Sequence, residues 1–416
     1  MQQIEQAIMK AEQGDIEEAI SLLRNYQNIA SDDEKFSIAQ VYQQWGLVDH
    51  ALPLLEELHA AYPEEEEVTL SLAEAYTDLD QDEKALELLN RFQEEDEGYL
   101  QALIQSADLY QSQGLFEVAE NKLFKAKRMA PDEPLIDLAL GELAFHTGDY
   151  KKSIPHYEKA IKKGRMYGEV DVKLRLAEAF AAIGEIEKAI EFYKDVKTES
   201  PDVLFRYGFT AYQGDRNEMA IGIWQKLLDR DPYYHSVYPL LAKAYEEEGM
   251  LKEAYETLKK GLIYDEYNKQ LYFLAGKIAL KLNQHERAIE LVEKALSIDP
   301  GYKEAVLFLI EHYKKNENHK RIKEMLTDVI KMGEDDPLYY WELARANYEI
   351  EAYDDALNNY REAYNSFTND AEFLKEYGYF LVEEGRMEEA KNILHKYVNI
   401  EPHDRDVEEF ISRMET

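Results

Sequence analysis

The sequence predicts an all-α fold, an α-solenoid of about twelve helical hairpins with a C-terminal capping helix. Three observations carry this. A landmark position recurs at Ala19, Ala51, Ala85, Ala119, Ser153, Ala189, Ala220, Ala254, Ala288, Ile322, Ala356 and Ala390, at spacings of 32, 34, 34, 34, 36 and 31 residues and then 34 five times. Twelve residues before it stand Ala7, Ala39, Ala73, Ala107, Gly141, Ala177, Gly208, Ala242, Gly276, Ile310, Ala344 and Gly378, all small except Ile310. Twelve residues after it, half of the copies carry proline: Pro63, Pro131, Pro201, Pro232, Pro300 and Pro402.

The copy at residues 271–300, LYFLAGKIALKLNQHERAIELVEKALSIDP, shows why the unit is a pair of helices. Phe273, Leu274, Gly276, Lys277, Ala279 and Leu280 fit one helix. Ala288, Leu291, Val292 and Ala295 fall at i, i+3, i+4 and i+7, the apolar stripe of a second. Antiparallel helices approach closely only where neither side chain is large, which Gly276 and Ala288 supply. Asn283 closes the first helix in the left-handed conformation, and Pro300 stops the second. One such hairpin cannot bury both of its apolar faces, so the copies must stack. A helix–turn–helix period of 34 with these small residues and this proline resembles the tetratricopeptide repeat, over about residues 1–402. The resemblance implies a right-handed solenoid whose first helices line a concave groove for a partner's peptide or helix. LYQSQGLFEVAE (109–120) and LAKAYEEEGMLKEAYETL (241–258) are also similar to YpiA-type tetratricopeptide proteins of Bacillus-like Firmicutes. That similarity implies a cytosolic bacterial protein with no established chemistry.

Along the chain the copies fall into four zones. Residues 1–161 form an acidic N-terminal array of copies one to five, opening with the stripe Ile4, Ala7, Ile8 and Ala11 and the turn at Gly14 and Asp15. Pro53 and Pro155 lie two residues past their landmarks. Each removes a backbone donor there, so those second helices are expected to start late or kink. The period fails over residues 162–240, copies six and seven. KKGRMYG (162–168) lengthens one connection, and Phe205, Phe209, Tyr212, Trp224, Tyr233, Tyr234 and Tyr238 follow. Two readings stand side by side: an irregular joint packed by aromatics, or a hinge or aromatic pocket for a partner side chain at Phe205, Phe209 and Tyr212. Residues 241–402 hold copies eight to twelve, with copy ten weakened by Ile310 and Ile322. Over residues 403–416, Val407, Phe410, Ile411 and Met414 fall on one face, as a solenoid cap requires.

Composition narrows the function. The repeats leave no stretch of the chain for a catalytic domain, so no enzyme is expected. There is no cysteine, hence no disulfide and no thiolate metal site. His285 and Glu286 begin like a zincin motif, but residue 289 is isoleucine; His312 and His319 flank a turn. No phosphate-binding glycine loop occurs, and no cofactor or metal is expected. The start of the chain lacks a signal peptide's apolar core, and uncharged apolar runs are too short to cross a bilayer, so the expected place is the cytoplasm. The formal charge is −37, of which the first hundred residues contribute −20, with 25 acids against 5 bases. A field of that sign repels phosphate backbones and anionic lipids, which argues against nucleic-acid and membrane partners; the same charge also serves simply to keep a helical surface soluble.

The groove-lining position that the resemblance implies lies eleven residues before each landmark. It reads Ile8, Gln40, Glu74, Asp108, Glu142, Glu178, Phe209, Lys243, Lys277, Glu311, Arg345 and Tyr379. Four consecutive carboxylates are followed by an aromatic and then by mostly basic residues. Composition alone can produce such a run in so acidic a chain; the functional reading is a strip at Glu74, Asp108, Glu142 and Glu178 that receives a basic segment of a partner. Tetratricopeptide domains that clamp a terminal carboxylate use Lys and Asn here, a pattern that copies three to six lack. The function expected is a non-enzymatic adaptor or scaffold holding a partner protein or peptide. The alternative is a peptide-responsive regulator of the Rap-like class, which carries a separate N-terminal bundle, whereas repeats here begin at the first residue.

Overall fold

The computed structural model describes residues 1–197 and 200–414, and among them it holds 25 helices and one pair of two-residue strands. Twenty-four of the helices form twelve antiparallel hairpins in register with the landmark. The chain forms two compact units, Met1–Lys197 and Thr198–Thr416, whose boundary falls inside the 162–240 zone.

Six hairpins make the first unit. Their first helices are Gln2–Glu12, Asp32–Gln44, Glu66–Asp78, Tyr99–Ser112, Pro134–His146 and Val172–Ala182. In the second unit the first helices are Pro201–Gln213, Val237–Glu247, Lys269–Lys281, Lys303–Lys315, Pro337–Glu349 and Ala371–Glu383. Every hairpin turns by the same device. The residue five before the landmark has positive φ in all twelve copies; seven are glycine, and Asp80, Asp215, Asn283, Glu317 and Glu351 adopt φ of 52–60°. The left-handed residue ends the helix and reverses the chain within three residues, as expected for Asn283.

The small residue twelve before the landmark is a matter of space. A Cβ added at Gly276 would stand 2.6 Å from Val292 Cγ2 and 3.0 Å from the Ala288 carbonyl oxygen. At Gly141 it would meet the buried Tyr157 ring at 2.7 Å. The facing side chain is thus the one four residues after the landmark. Copy ten solves the problem differently, burying Ile310, Ile322 and Leu326 together in one apolar cluster.

Five second helices stop two residues before Pro63, Pro131, Pro232, Pro300 and Pro402, while Pro201 opens the next helix, where no donor is needed. The helices carrying Pro53 and Pro155 do not start late. They run over Val48–Ala61 and Tyr150–Ala160, with the proline inside. Stacking supports them: Leu54, Leu55 and Leu58 around Pro53, and Ile154 and Tyr157 around Pro155, are buried.

The long connection after copy five folds into an antiparallel strand pair, Met166–Tyr167 with Val170–Asp171, around Gly168 at φ +59°. Arg165 clamps Asp171 at 2.7 Å, and the Tyr167 hydroxyl donates to the Ala160 carbonyl oxygen at 2.7 Å. Among the aromatics that follow, Phe205 lies against Phe209 and Tyr212 against Trp224, while Tyr233 and Tyr238 lie against Tyr264. Trp224 is fully buried and donates Nε1–H to the Phe205 carbonyl oxygen, and Phe205 lies 5.3 Å from the Tyr234 ring. The last helix, Arg405–Met414, seats Val407 and Ile411 on Leu394 and Tyr397, with Phe410 and Met414 half-buried beside them. Residues 415 and 416 of the expected cap lie outside the described residues.

Candidate partner-binding strip

In the first unit, the first helices of copies one to four touch one another in succession, so they form one face. On that face the position eleven before the landmark is exposed at Gln40, Glu74 and Asp108; in the next two copies Glu142 is half-buried and Glu178 is buried. The four carboxylates of the strip therefore divide into two pairs.

Glu142 and Glu178 are occupied. Arg175 donates Nε–H to Glu142 at 2.8 Å and Nη1–H to Glu178 at 3.2 Å, with its guanidinium over the Phe145 ring. The Tyr157 hydroxyl gives Glu142 a second hydrogen bond at 2.7 Å. Glu74 and Asp108 are open: neither has an ion pair to Lys or Arg among the described residues. Protein atoms crowd them on the inner face, and this desolvation raises both carboxyl pKa values, with Asp78 adding to the rise at Glu74. Beside them the Gln105 carbonyl oxygen Oε1 also lacks a hydrogen-bond partner among the described residues. The two carboxylates are exposed acceptors, whereas the Gln105 oxygen is buried.

Register explains the division. The residue eleven before one landmark meets the residue fourteen before the next. For Glu142 that is Arg175; for Glu74 and Asp108 the corresponding residues are Gln105 and Ala139, neither of them a cation. The second unit repeats the contact with the charges exchanged. Arg345 occupies the strip position and is held by Glu376, fourteen before its landmark, at 2.6 Å, and by Glu372 at 2.7 Å and Glu342 at 3.2 Å. Its guanidinium stacks 4.3 Å from the Trp341 ring, and Glu376 takes a further hydrogen bond from the Tyr360 hydroxyl at 2.7 Å.

The other strip residues of the second unit face solvent. Lys243 lies 5.6 Å over the Tyr212 ring and 3.9 Å from Glu247, which also accepts the Tyr212 hydroxyl at 2.7 Å. Lys277 lies 5.7 Å over Phe273. Phe209 stacks on the half-buried Phe205 and keeps an exposed face. His312 lies in the last turn of Lys303–Lys315 and His319 begins the next helix, across the turn expected between them. Among the described residues no group of three or more His, Asp or Glu is placed to hold a metal ion, and no described helix is long and apolar enough to cross a membrane.

Known proteins share this repeat register. The family of YpiA-like tetratricopeptide repeats matches residues 111–165, and that of YpiA-like C-terminal tetratricopeptide repeats matches 337–404. More general tetratricopeptide families match 46–104, 147–203 and 279–346. The TPR repeat-containing protein YpiA of Bacillus subtilis is 42% identical over 414 residues, 99% of this chain and 98% of its own length. This chain belongs to the YpiA-like tetratricopeptide repeat family. The Hsp70-Hsp90 organizing protein of Triticum aestivum is 26% identical over 166 residues, 40% of this YpiA-like chain and 27% of that protein. The solved structure of YrrB, described as a TPR protein with an unusual peptide-binding site, is 16% identical, covers 46% of this chain and 97% of its own, and superposes with a TM-score of 0.39.

The residue that sequence reasoning missed in the YpiA-like chain is Arg175. Two signals pointed to it: its i,i+3 spacing from Glu178, and its place one repeat after Glu142. Reading a single register hides both, because the neutralising charge sits one helical turn away.

Proposed function

We propose that this chain is a non-enzymatic adaptor, and that Glu74 and Asp108 receive a basic segment of a partner polypeptide. The observation carrying the reading is the exposure of these two carboxylates at one register of adjacent repeats, where Gln105 and Ala139 supply no cation. Both acids hold their charge against desolvation, so an incoming ammonium or guanidinium relieves an existing cost. The −20 charge of the first hundred residues steers a basic segment toward this unit. Glu142 and Glu178 take no part in this reading, since Arg175 already pairs with both.

The test needs a partner, found by affinity purification from the native cell, and then calorimetry against two variants. Exposed ion pairs contribute about 0.2–1 kcal/mol each, so Glu74→Lys with Asp108→Lys, which turns attraction into repulsion twice, should weaken binding about tenfold. The control is Glu83→Lys with Glu117→Lys, exposed acids of the same two repeats on the second helices, with no ion pair among the described residues. Equal losses from both variants would mean that net charge alone acts. No loss from the strip variant would place the partner elsewhere, with the aromatic stretch at Phe205, Phe209 and Tyr212 the next candidate.

A further inference from the structure

The second unit holds a cavity of about 380 Å³ on the side of its first helices, between Lys303–Lys315, Pro337–Glu349 and Ala371–Glu383. Its size suits a single side chain or a small ligand. Tyr348, Tyr379 and Phe380 contribute aromatic surface to its wall. Its ionisable lining comprises four glutamates, two bases and His319.

Both bases are consumed. Lys314 pairs with the buried Glu342, and Arg345 is held by Glu342, Glu372 and Glu376. Glu349 and Glu383 remain, each exposed and each without an ion pair to Lys or Arg among the described residues; Glu383 accepts only the Tyr348 hydroxyl, at 2.7 Å. They occupy equivalent positions, seven before their landmarks, and each is the final residue of its helix. Helix C-termini carry partial negative charge and favour a cation in the last turn; neither helix has a basic residue there. Two acids therefore sit where two helix dipoles already disfavour them, next to aromatic faces that attract cations.

We infer that this cavity binds the guanidinium of an arginine side chain on a partner polypeptide, with Tyr348 and Tyr379 facing the cation, the buried Phe380 backing them, and Glu349 and Glu383 accepting its hydrogen bonds. Guanidinium fits better than ammonium because it is planar, stacks on rings and offers five donors to two separate carboxylates. An anion finds no free cation here, because Arg345 already has three carboxylates. The site is independent of the strip in the first unit.

The chain has three tryptophans, Trp45, Trp224 and Trp341. Trp341 stacks on Arg345 beside the cavity, whereas Trp45 belongs to the other unit. Full-length protein labelled with 5-fluorotryptophan is titrated with the capped peptide Gly-Ala-Arg-Ala-Gly, followed by fluorine NMR. The Trp341 line should shift saturably below about 20 mM and Trp45 should stay still. Replacing arginine by citrulline, which keeps the shape and removes the charge, should weaken binding about tenfold. The double variant Glu349→Gln, Glu383→Gln should do the same, while Glu74→Lys with Asp108→Lys should leave the Trp341 titration unchanged. No saturable shift, equal affinity for the citrulline peptide, an unaffected glutamine variant, or tighter binding of the glutamate analogue would each overturn the assignment. None of these outcomes bears on the strip of the first unit.

Discussion

At the scale of single residues, the carboxyls of Glu74 and Asp108 are raised by burial, whereas those of Glu94, Asp195 and Asp299 are pulled down by a lysine. A raised folded-state pKa means that the folded protein binds the proton more readily than the unfolded one. Such an acid therefore destabilises the fold at neutral pH, and the penalty fades as pH falls through its folded pKa. Asp108→Asn should accordingly stabilise the protein at pH 7, by up to about 0.5 kcal/mol because the side chain still reaches water. The gain should shrink as pH falls through the folded pKa and vanish only below the ordinary aspartate value of about 3.9. Urea melts of the two proteins at pH 7, 5.5 and 4 measure this; a difference that stays constant across the series would mean that the aspartate's charge is not what is being relieved. The same site shows what sequence can and cannot give. Glu74 and Asp108 were legible as a register, but that they stay open while Glu142 and Glu178 are closed depends on Arg175, which meets Glu142 across the repeat boundary and Glu178 three residues further along its own helix. A pattern read down one column of the repeat does not contain it.

At the scale of elements, nearly every helix was legible, because the left-handed turn residue, the small residue opposite the landmark and the following proline are each local steric requirements. The misses have local causes too. Pro53 and Pro155 were expected to delay or kink their helices; neither helix is delayed, because burial of Leu54, Leu55, Ile154 and Tyr157 outweighs one lost hydrogen bond in each. The strand pair at Met166–Tyr167 and Val170–Asp171 is too short to leave a periodic signal and is held by Arg165, Asp171 and Tyr167. The capping helix depends on Val407 and Ile411, and on Asp404, whose carboxyl is pulled down to about 2 by Lys375 and the Tyr397 hydroxyl. A lowered pKa gives a contribution that is complete above about pH 4 and lost only as pH falls toward 2. The cap should thus stay seated throughout the neutral and mildly acidic range. Val407→Asp with Ile411→Asp should unseat it and uncover Leu394 and Tyr397, giving concentration-dependent association in sedimentation velocity. A variant that sediments like the parent at every concentration would show that this helix does not cover an adhesive edge.

At the scale of the whole molecule, each repeat contacts chiefly its neighbours, so stability is a sum of local terms and not one global quantity. Two compact units and an uneven charge make that testable. The first hundred residues carry −20, the remaining 316 only −17. Self-repulsion should weaken the first unit most, and most of all at low salt, where the Debye length reaches about 30 Å at 0.01 M against about 8 Å at 0.15 M. Trp45 reports on this region, and Trp341, buried in the last apolar cluster, reports on the other unit. In two variants, one retaining only Trp45 and one only Trp341, with phenylalanine at the other tryptophans, urea unfolding followed by fluorescence should give separate midpoints. The Trp45 midpoint should be the lower one at 0.01 M salt and should climb faster than that of Trp341 as salt is added, because net repulsion outweighs attraction most in the first hundred residues. Coincident transitions at all salt concentrations would show that the chain unfolds as one cooperative body. Separate transitions with the same salt dependence would show that the charge gradient along the chain does not govern its stability.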